Sequence, residues 1–378
     1  MANAKKLSIE ELKTDVNTWV AKSKIAQTSY TTIISAIDGL LEKIGKIYTN
    51  EQTFQDKLTM LDGEFLSFGR QVEEWERDQI LPADYDDVDE VADLKSAFPT
   101  YRPATYSYPL GDKVFSVTRS YKDLQSTVHN EGQLAELIMD IQNALTNAKM
   151  IYRYAAKRQM IGRLAEMCKD EMDASKAQTW AAGTARTVNT TVKNTASNPT
   201  HIGIVVKDYP ASANLTYDNA VAQGYVINLD LITTIAKPTD TASGEAFIKQ
   251  LKADVEIASD ISEGHSLNGN TLGAVQGKIL FVKQGLVPTL EVDVQAGAFN
   301  GEKVAAPSEI IVLPDFGKDA DPNVYAVLTD SRTLRLFPNF DYSGVAENKS
   351  KAWAKFVAHL DATAHISRNT FVKVYKNA

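Results

Sequence analysis

Three groups of residues have types suited to chemistry, and their spacing decides whether chemistry follows. The first is the acidic run Asp84, Asp86, Asp87, Asp89, Glu90 and Asp93, which places carboxylates at the first and third ligand positions of a calcium loop. Such a loop needs glycine at its sixth position for the sharp turn and a bidentate glutamate at its twelfth. Here those positions hold Asp89 and Lys95, so the run reads as a solvated acidic loop. The second group is His359 with His365, two of the five histidines. Their separation puts them on different faces of a helix, and the single cysteine, Cys168, lies far off in sequence, so zinc ligation is not supported. The third is Asp330-Ser331-Arg332, reactive polar types side by side, which a turn between strands explains equally well. No Gly-rich phosphate loop and no Gly-x-Ser-x-Gly elbow occurs. The sequence therefore offers no catalytic, cofactor-binding or metal-ligating residue, and a structural protein is expected in place of an enzyme.

The chain is 378 residues long with a formal net charge of −8 and 44% apolar residues, enough for one large composite domain or two lobes around a sizeable core. An acidic balance argues against a dedicated nucleic-acid binder, because duplex affinity comes mostly from Lys and Arg neutralising phosphates. The basic run Arg153, Lys157, Arg158 and Arg163 sits inside a helical pattern and reads as a solvated face. One cysteine excludes an intrachain disulfide and suits a reducing compartment. The N-terminus leads straight into polar, helix-like sequence without an apolar signal core, and no stretch approaches the roughly 20 apolar residues of a membrane-spanning helix.

The elements follow from periodicity. Ser8-Ile9-Glu10-Glu11 is a capping-box signature, and Ile33, Ile34, Ile37, Leu40, Leu41 and Ile44 form the face of a second helix. Arg70–Asp78 reads as a short helix. Residues 105–121 read as a hairpin, with Tyr106, Tyr108 and Leu110 alternating before Gly111-Asp112 and Phe115 and Val117 after it. The strongest signal spans Gly132–Asp173: Leu134, Ile138, Ile141, Leu145, Ala148 and Tyr152, then Ala156, Met160, Leu164 and Met167, recur at helical spacing. A helix of that length spans roughly 60 Å. Residues 181–200 read as an exposed loop. Strands are expected at Ile202–Val206, Tyr225–Ile235, Lys278–Lys283, Glu309–Leu313, Val324–Leu328, Thr333–Leu336 and Phe371–Tyr375, with a helix at Gly244–Ile261 and a mixed segment at Trp353–Ile366. Helices early and strands late, without regular alternation, give an α+β class.

The order of these segments resembles the major capsid proteins of tailed bacteriophages, with the fold named after phage Hong Kong 97, and is most similar to the head proteins of small podoviruses and related gut phages. Carrying the resemblance are Asp56-Lys57-Leu58, Leu61-Asp62-Gly63-Glu64, Phe68-Gly69, Val72-Glu73-Glu74-Trp75, Leu81-Pro82, Tyr101-Arg102 through Tyr106-Ser107-Tyr108-Pro109-Leu110-Gly111, Ile151-Tyr152-Arg153-Tyr154 with Lys157 to Gly162, and Thr329 to Arg335 followed by Phe337-Pro338-Asn339. It covers the chain from about Lys46 onward and is weakest from Ala181 to Thr241; the first 45 residues depart from the family pattern.

The resemblance implies a helical N-terminal arm at 1–45, an extended loop and arm region at 46–103, a peripheral domain at 104–180 with a spine helix at 132–173, an axial domain at 181–329 and a C-terminal return to the peripheral domain at 330–378. It implies a subunit that self-assembles into pentamers and hexamers of an icosahedral head around double-stranded DNA, built in the host bacterial cytoplasm. The implied partners are other copies of the chain, with scaffolding, portal and decoration proteins as further candidates, DNA through non-specific contacts only, and no membrane. An encapsulin-like nanocompartment shell protein or another phage structural protein is the alternative.

Overall fold

The computed structural model describes residues 54–66, 71–77, 101–120, 131–197, 199–271, 273–274, 277–286, 307–318, 320–348 and 352–377. The two expected N-terminal helices and the acidic run at 84–93 lie outside the described residues. In chain order the elements are β1 (Glu73–Arg77), β2 (Tyr101–Thr105), β3 (Ser107–Pro109), β4 (Lys113–Ser120), α1 (Glu131–Glu171), β5 (Gln178–Thr179), β6 (Thr191–Lys193), β7 (Ile202–Val205), α2 (Tyr217–Ala222), β8 (Val226–Asn228), β9 (Ile232–Thr234) and α3 (Thr241–Ala258). There follow β10 (Ser262–Glu263), β11 (Asn270–Thr271), β12 (Lys278–Lys283), β13 (Glu309–Leu313), β14 (Val324–Asp330), β15 (Leu334–Asn348), β16 (Trp353–Ile366) and β17 (Val372–Lys376). The mixture is α+β, as expected.

The chain divides into two compact units, one of Met1–Phe54, Phe115–Ala148 and Ser343–Ala358, the other of Gln55–Val114, Lys149–Tyr342 and His359–Ala378. The larger unit is built on a mixed five-stranded sheet in the order β13-β12-β14-β17-β9. Its central strands are apolar throughout because both faces are covered. Ile279, Phe281, Val327, Val372 and Val374 face Met160, Ile161, Leu164 and Cys168 of α1, whereas Leu280, Val282, Ala326 and Leu328 face Phe247, Ile248, Leu251 and Val255 of α3. Helix α3 begins where Asp240 and Ser243 cap each other reciprocally, so that its first residue, Thr241, lies three residues upstream of the start read from periodicity. A second, four-stranded sheet, β5-β6-β7-β8, encloses a small aromatic core in which Trp180 and Tyr209 lie 4.8 Å apart. In the smaller unit, Ile141 and Leu145 of α1 pack on Ala354, Phe356 and Ala358 of β16, with Phe115 and Val117 beside them.

The helix expected at 132–173 is present as α1, with 41 residues, and its stripe is buried at Ile141, Leu145, Ala156, Met160, Leu164 and Met167. Gly162 interrupts neither the helix nor its packing. A Cβ there would stand 2.2 Å from the Phe316 carbonyl oxygen, so the residue is glycine for close approach.

Three expectations are corrected. The segment read as a short helix at 70–78 is strand β1, because Glu73–Arg77 pairs antiparallel with Tyr101–Thr105, a partner that local sequence does not reveal. The hairpin at 105–121 is not formed. Strands β3 and β4 both pair with β16 and not with each other; Leu110 donates to the Ala362 carbonyl at 2.9 Å and Asp112 lies 3.8 Å from His359. The chain therefore continues along one edge through the Gly111 bend (φ 77°) without reversing. Alternating burial serves either arrangement, and only the pairing partner distinguishes them. The basic run on α1 is not a uniformly solvated face, because the Lys157 side chain is 0% exposed.

Candidate assembly surfaces

The reactive residue types are placed by the fold into structural roles. Asp330 closes the β14–β15 turn: its carboxylate accepts from the Arg332 backbone N–H at 2.9 Å and from its guanidinium at 3.1 Å. Cys168 is fully enclosed, and burial pushes its thiol well above the ordinary range, which leaves it inert at neutral pH. His265 is buried beside Phe371, and desolvation, followed by the Lys373 ammonium, holds it below the usual histidine value. His359 and His365 both lie on β16, six residues and therefore about 20 Å apart, too far to share an ion. Ser367, Glu74 and His365 gather in one place, but Ser367 donates to Glu74 at 2.7 Å and the histidine approaches the other carboxylate oxygen at 3.6 Å. The carboxylate thus separates serine from imidazole, the reverse of the order that activates a hydroxyl. Among the described residues no group of three or more His, Cys, Asp or Glu is placed to hold a metal ion, and no helix is long and apolar enough to cross a membrane.

What the fold does build is a root for the chain that precedes it. Residues 54–66 lie against α1 and the start of β15. Leu58 and Leu61 enter the main core, Gly63 donates to the Leu336 carbonyl at 2.8 Å, Leu66 donates to that of Pro338 at 2.9 Å, and Arg335 donates to the Met60 carbonyl at 2.7 Å. Gly63 sits so close to the Phe337 ring that a Cβ would fall 2.4 Å from it. The enclosed Lys157 ammonium pairs with Asp56 at 2.6 Å and Asp62 at 2.7 Å, and Arg153 reaches Asp62 at 2.8 Å. Arg158 pairs with Asp315, and Arg163 bonds Glu166 on its own helix. Helical spacing marks these residues as one basic face. Carboxylates as far as 157 positions away in the chain decide that they are anchors.

Surfaces suited to association lie on the strands. Phe340 and Tyr342 of β15 stack at 6.3 Å with 47% and 52% of their surface exposed, next to His359. Val114 and Val345 are likewise about half exposed, as is Ile310 on the edge strand β13. Among the described residues no strand pairs with the outer edge of β15 beyond Pro338. Exposed aromatic rings beside an unpaired strand edge are what a chain presents when another chain completes the surface.

The sequence matches the Phi29-like phage major capsid protein family over residues 5–372. No curated protein matches it in sequence. Among solved structures, a chain in the capsid of Staphylococcus phage Andhra aligns over 89% of this chain and 87% of its own, at 10% identity and TM-score 0.57, and shares the fold. A chain of the mature capsid of bacteriophage PhiM1 aligns over 89% of this chain and 90% of its own, at 12% identity and TM-score 0.49. With the fold and the family in agreement, the chain belongs to the Phi29-like phage major capsid protein family: it is a structural subunit of the tailed-phage head, not an enzyme.

Proposed function

We propose that copies of this chain associate as pentamers and hexamers and close into an icosahedral head around double-stranded DNA, in the cytoplasm of the bacterial host. The observation that carries this reading is the exposed, stacked pair Phe340 and Tyr342 on β15, a strand that among the described residues has β16 on one side and no partner strand on the other beyond Pro338, joined to a family assignment that makes other copies the partner. Residues 104–180 and 330–378 act as the peripheral domain, with α1 as its spine; 181–329 act as the axial domain around the symmetry axes, and 1–45 and 46–103 reach across neighbours. Scaffolding, portal and decoration proteins meet the assembled surface. DNA is contacted only non-specifically and weakly, since 48 Asp and Glu outweigh the 40 Lys and Arg that could neutralise its phosphates. Charged substitution tests the surface: Phe340→Asp with Tyr342→Asp leaves a folded subunit, because both side chains are half exposed, and abolishes shells in electron micrographs of the coexpressed particles. Shells of normal yield and size from the double variant overturn the assignment of this edge.

A further inference from the structure

Glu74 crosses from the two-stranded ribbon β1–β2 to the end of β16. Its Oε1 accepts the Ser367 hydroxyl at 2.7 Å, and its Oε2 stands 3.6 Å from Nε2 of His365, whose side chain is 9% exposed. Glu74 Oε2 and His365 Nδ1 are both buried without a hydrogen-bond partner. Facing the imidazole are the Phe337 ring of β15 at 6.4 Å, the Tyr106 carbonyl between β2 and β3, and Glu74, the one group among them that carries charge. A neutral imidazole suits this enclosure. An imidazolium fits it less well, because its charge is withdrawn from water, a cost that the Glu74 carboxylate and the Tyr106 carbonyl offset only in part.

We propose that the Glu74–His365–Ser367 junction is a proton-sensitive latch that holds the β1–β2 ribbon against the end of β16 at neutral pH and releases it on acidification. Burial holds His365 below the ordinary histidine value, with the Glu74 carboxylate pulling the other way. Once the ribbon lifts, the ring regains water and binds its proton near the ordinary value of about 6.5. The released state is then the better proton acceptor, so docking is at full strength above that value. It weakens as the pH falls through it, by up to about tenfold per pH unit, and levels off below the docked value.

Amide exchange of the full-length subunit tests this, read as protection factors corrected for intrinsic rates at about pH 7.5 and about pH 5. The latch predicts that protection in Glu73–Arg77 and Tyr101–Thr105 falls several-fold at the lower pH while the strands of the five-stranded sheet keep theirs. His365→Gln removes the pH dependence. Glu74→Gln, which keeps an acceptor for Ser367 and removes the opposing charge, deepens the fall and serves where the histidine variant does not fold. Ribbon protection that is equal at the two pH values, or a fall that persists undiminished in His365→Gln or unchanged in Glu74→Gln, overturns the proposal.

Discussion

Replacing Lys157 with methionine keeps an unbranched side chain through its fourth heavy atom and removes the ammonium with its charge and N–H donors. The ammonium is entirely enclosed, whereas Asp56 and Asp62 retain 8% and 30% of their side-chain exposure, so the substitution strands one carboxylate in a place that water hardly reaches. Breaking a buried pair from one side costs about 3–5 kcal/mol. Asp62 still has Arg153 at 2.8 Å and some solvent, which places the loss near the lower end, about 3 kcal/mol, with a fall in Tm of roughly 5 °C. Denaturant unfolding measures the loss, and proteolysis at 54–66 reports whether the root detaches first. Adding Asp56→Asn removes the stranded charge and recovers more than about 1 kcal/mol, the coupling of a contacting pair. A loss below about 1 kcal/mol for Lys157→Met, the size of an exposed ion pair, refutes the reasoning that this quartet anchors the segment.

Three further outcomes follow from the packing. Ile141→Asp puts an unpaired carboxylate into the small core at α1, where the native side chain is 4% exposed, and abolishes soluble folded subunit; a soluble, cooperatively unfolding variant shows that this face is not buried. Gly162→Ala gains up to about 1 kcal/mol of helix propensity but drives a methyl group toward the Phe316 carbonyl, so denaturation shows a net loss of about 1–3 kcal/mol, and stabilisation contradicts the close approach. Deleting residues 1–44 leaves the unfolding midpoint of the larger unit unchanged and alters the yield or size of shells; an unfolded deletion variant assigns that segment to the core.

The sequence carried most of the fold where an element's own pattern decides its form. Strands Lys278–Lys283 and Glu309–Leu313 fall where their apolar runs begin and end, and α1 differs from its expected bounds by one or two residues. It failed where a distant partner decides. Glu73–Arg77 has no strand signature of its own and extends because Tyr101–Thr105 lies alongside it. Tyr108 and Phe115 alternate as a hairpin would, yet β16 takes both strands on one edge. Lys157 looked like one member of a wet basic face because its carboxylates, Asp56 and Asp62, lie some 100 residues earlier. The proposed assembly surface was legible only through the resemblance: nothing in the pattern of Leu334–Asn348 says that Phe340 and Tyr342 face outward.

The central claim is that this chain builds closed shells of many copies, and cryo-electron microscopy of the full-length protein, expressed with and without a candidate scaffolding protein, tests it most directly. The account predicts icosahedral particles in which density from a neighbouring copy runs along the outer edge of β15 and covers Phe340 and Tyr342. Particles whose maps leave that edge open to solvent, or a chain that stays monomeric by light scattering under the same conditions, contradict it.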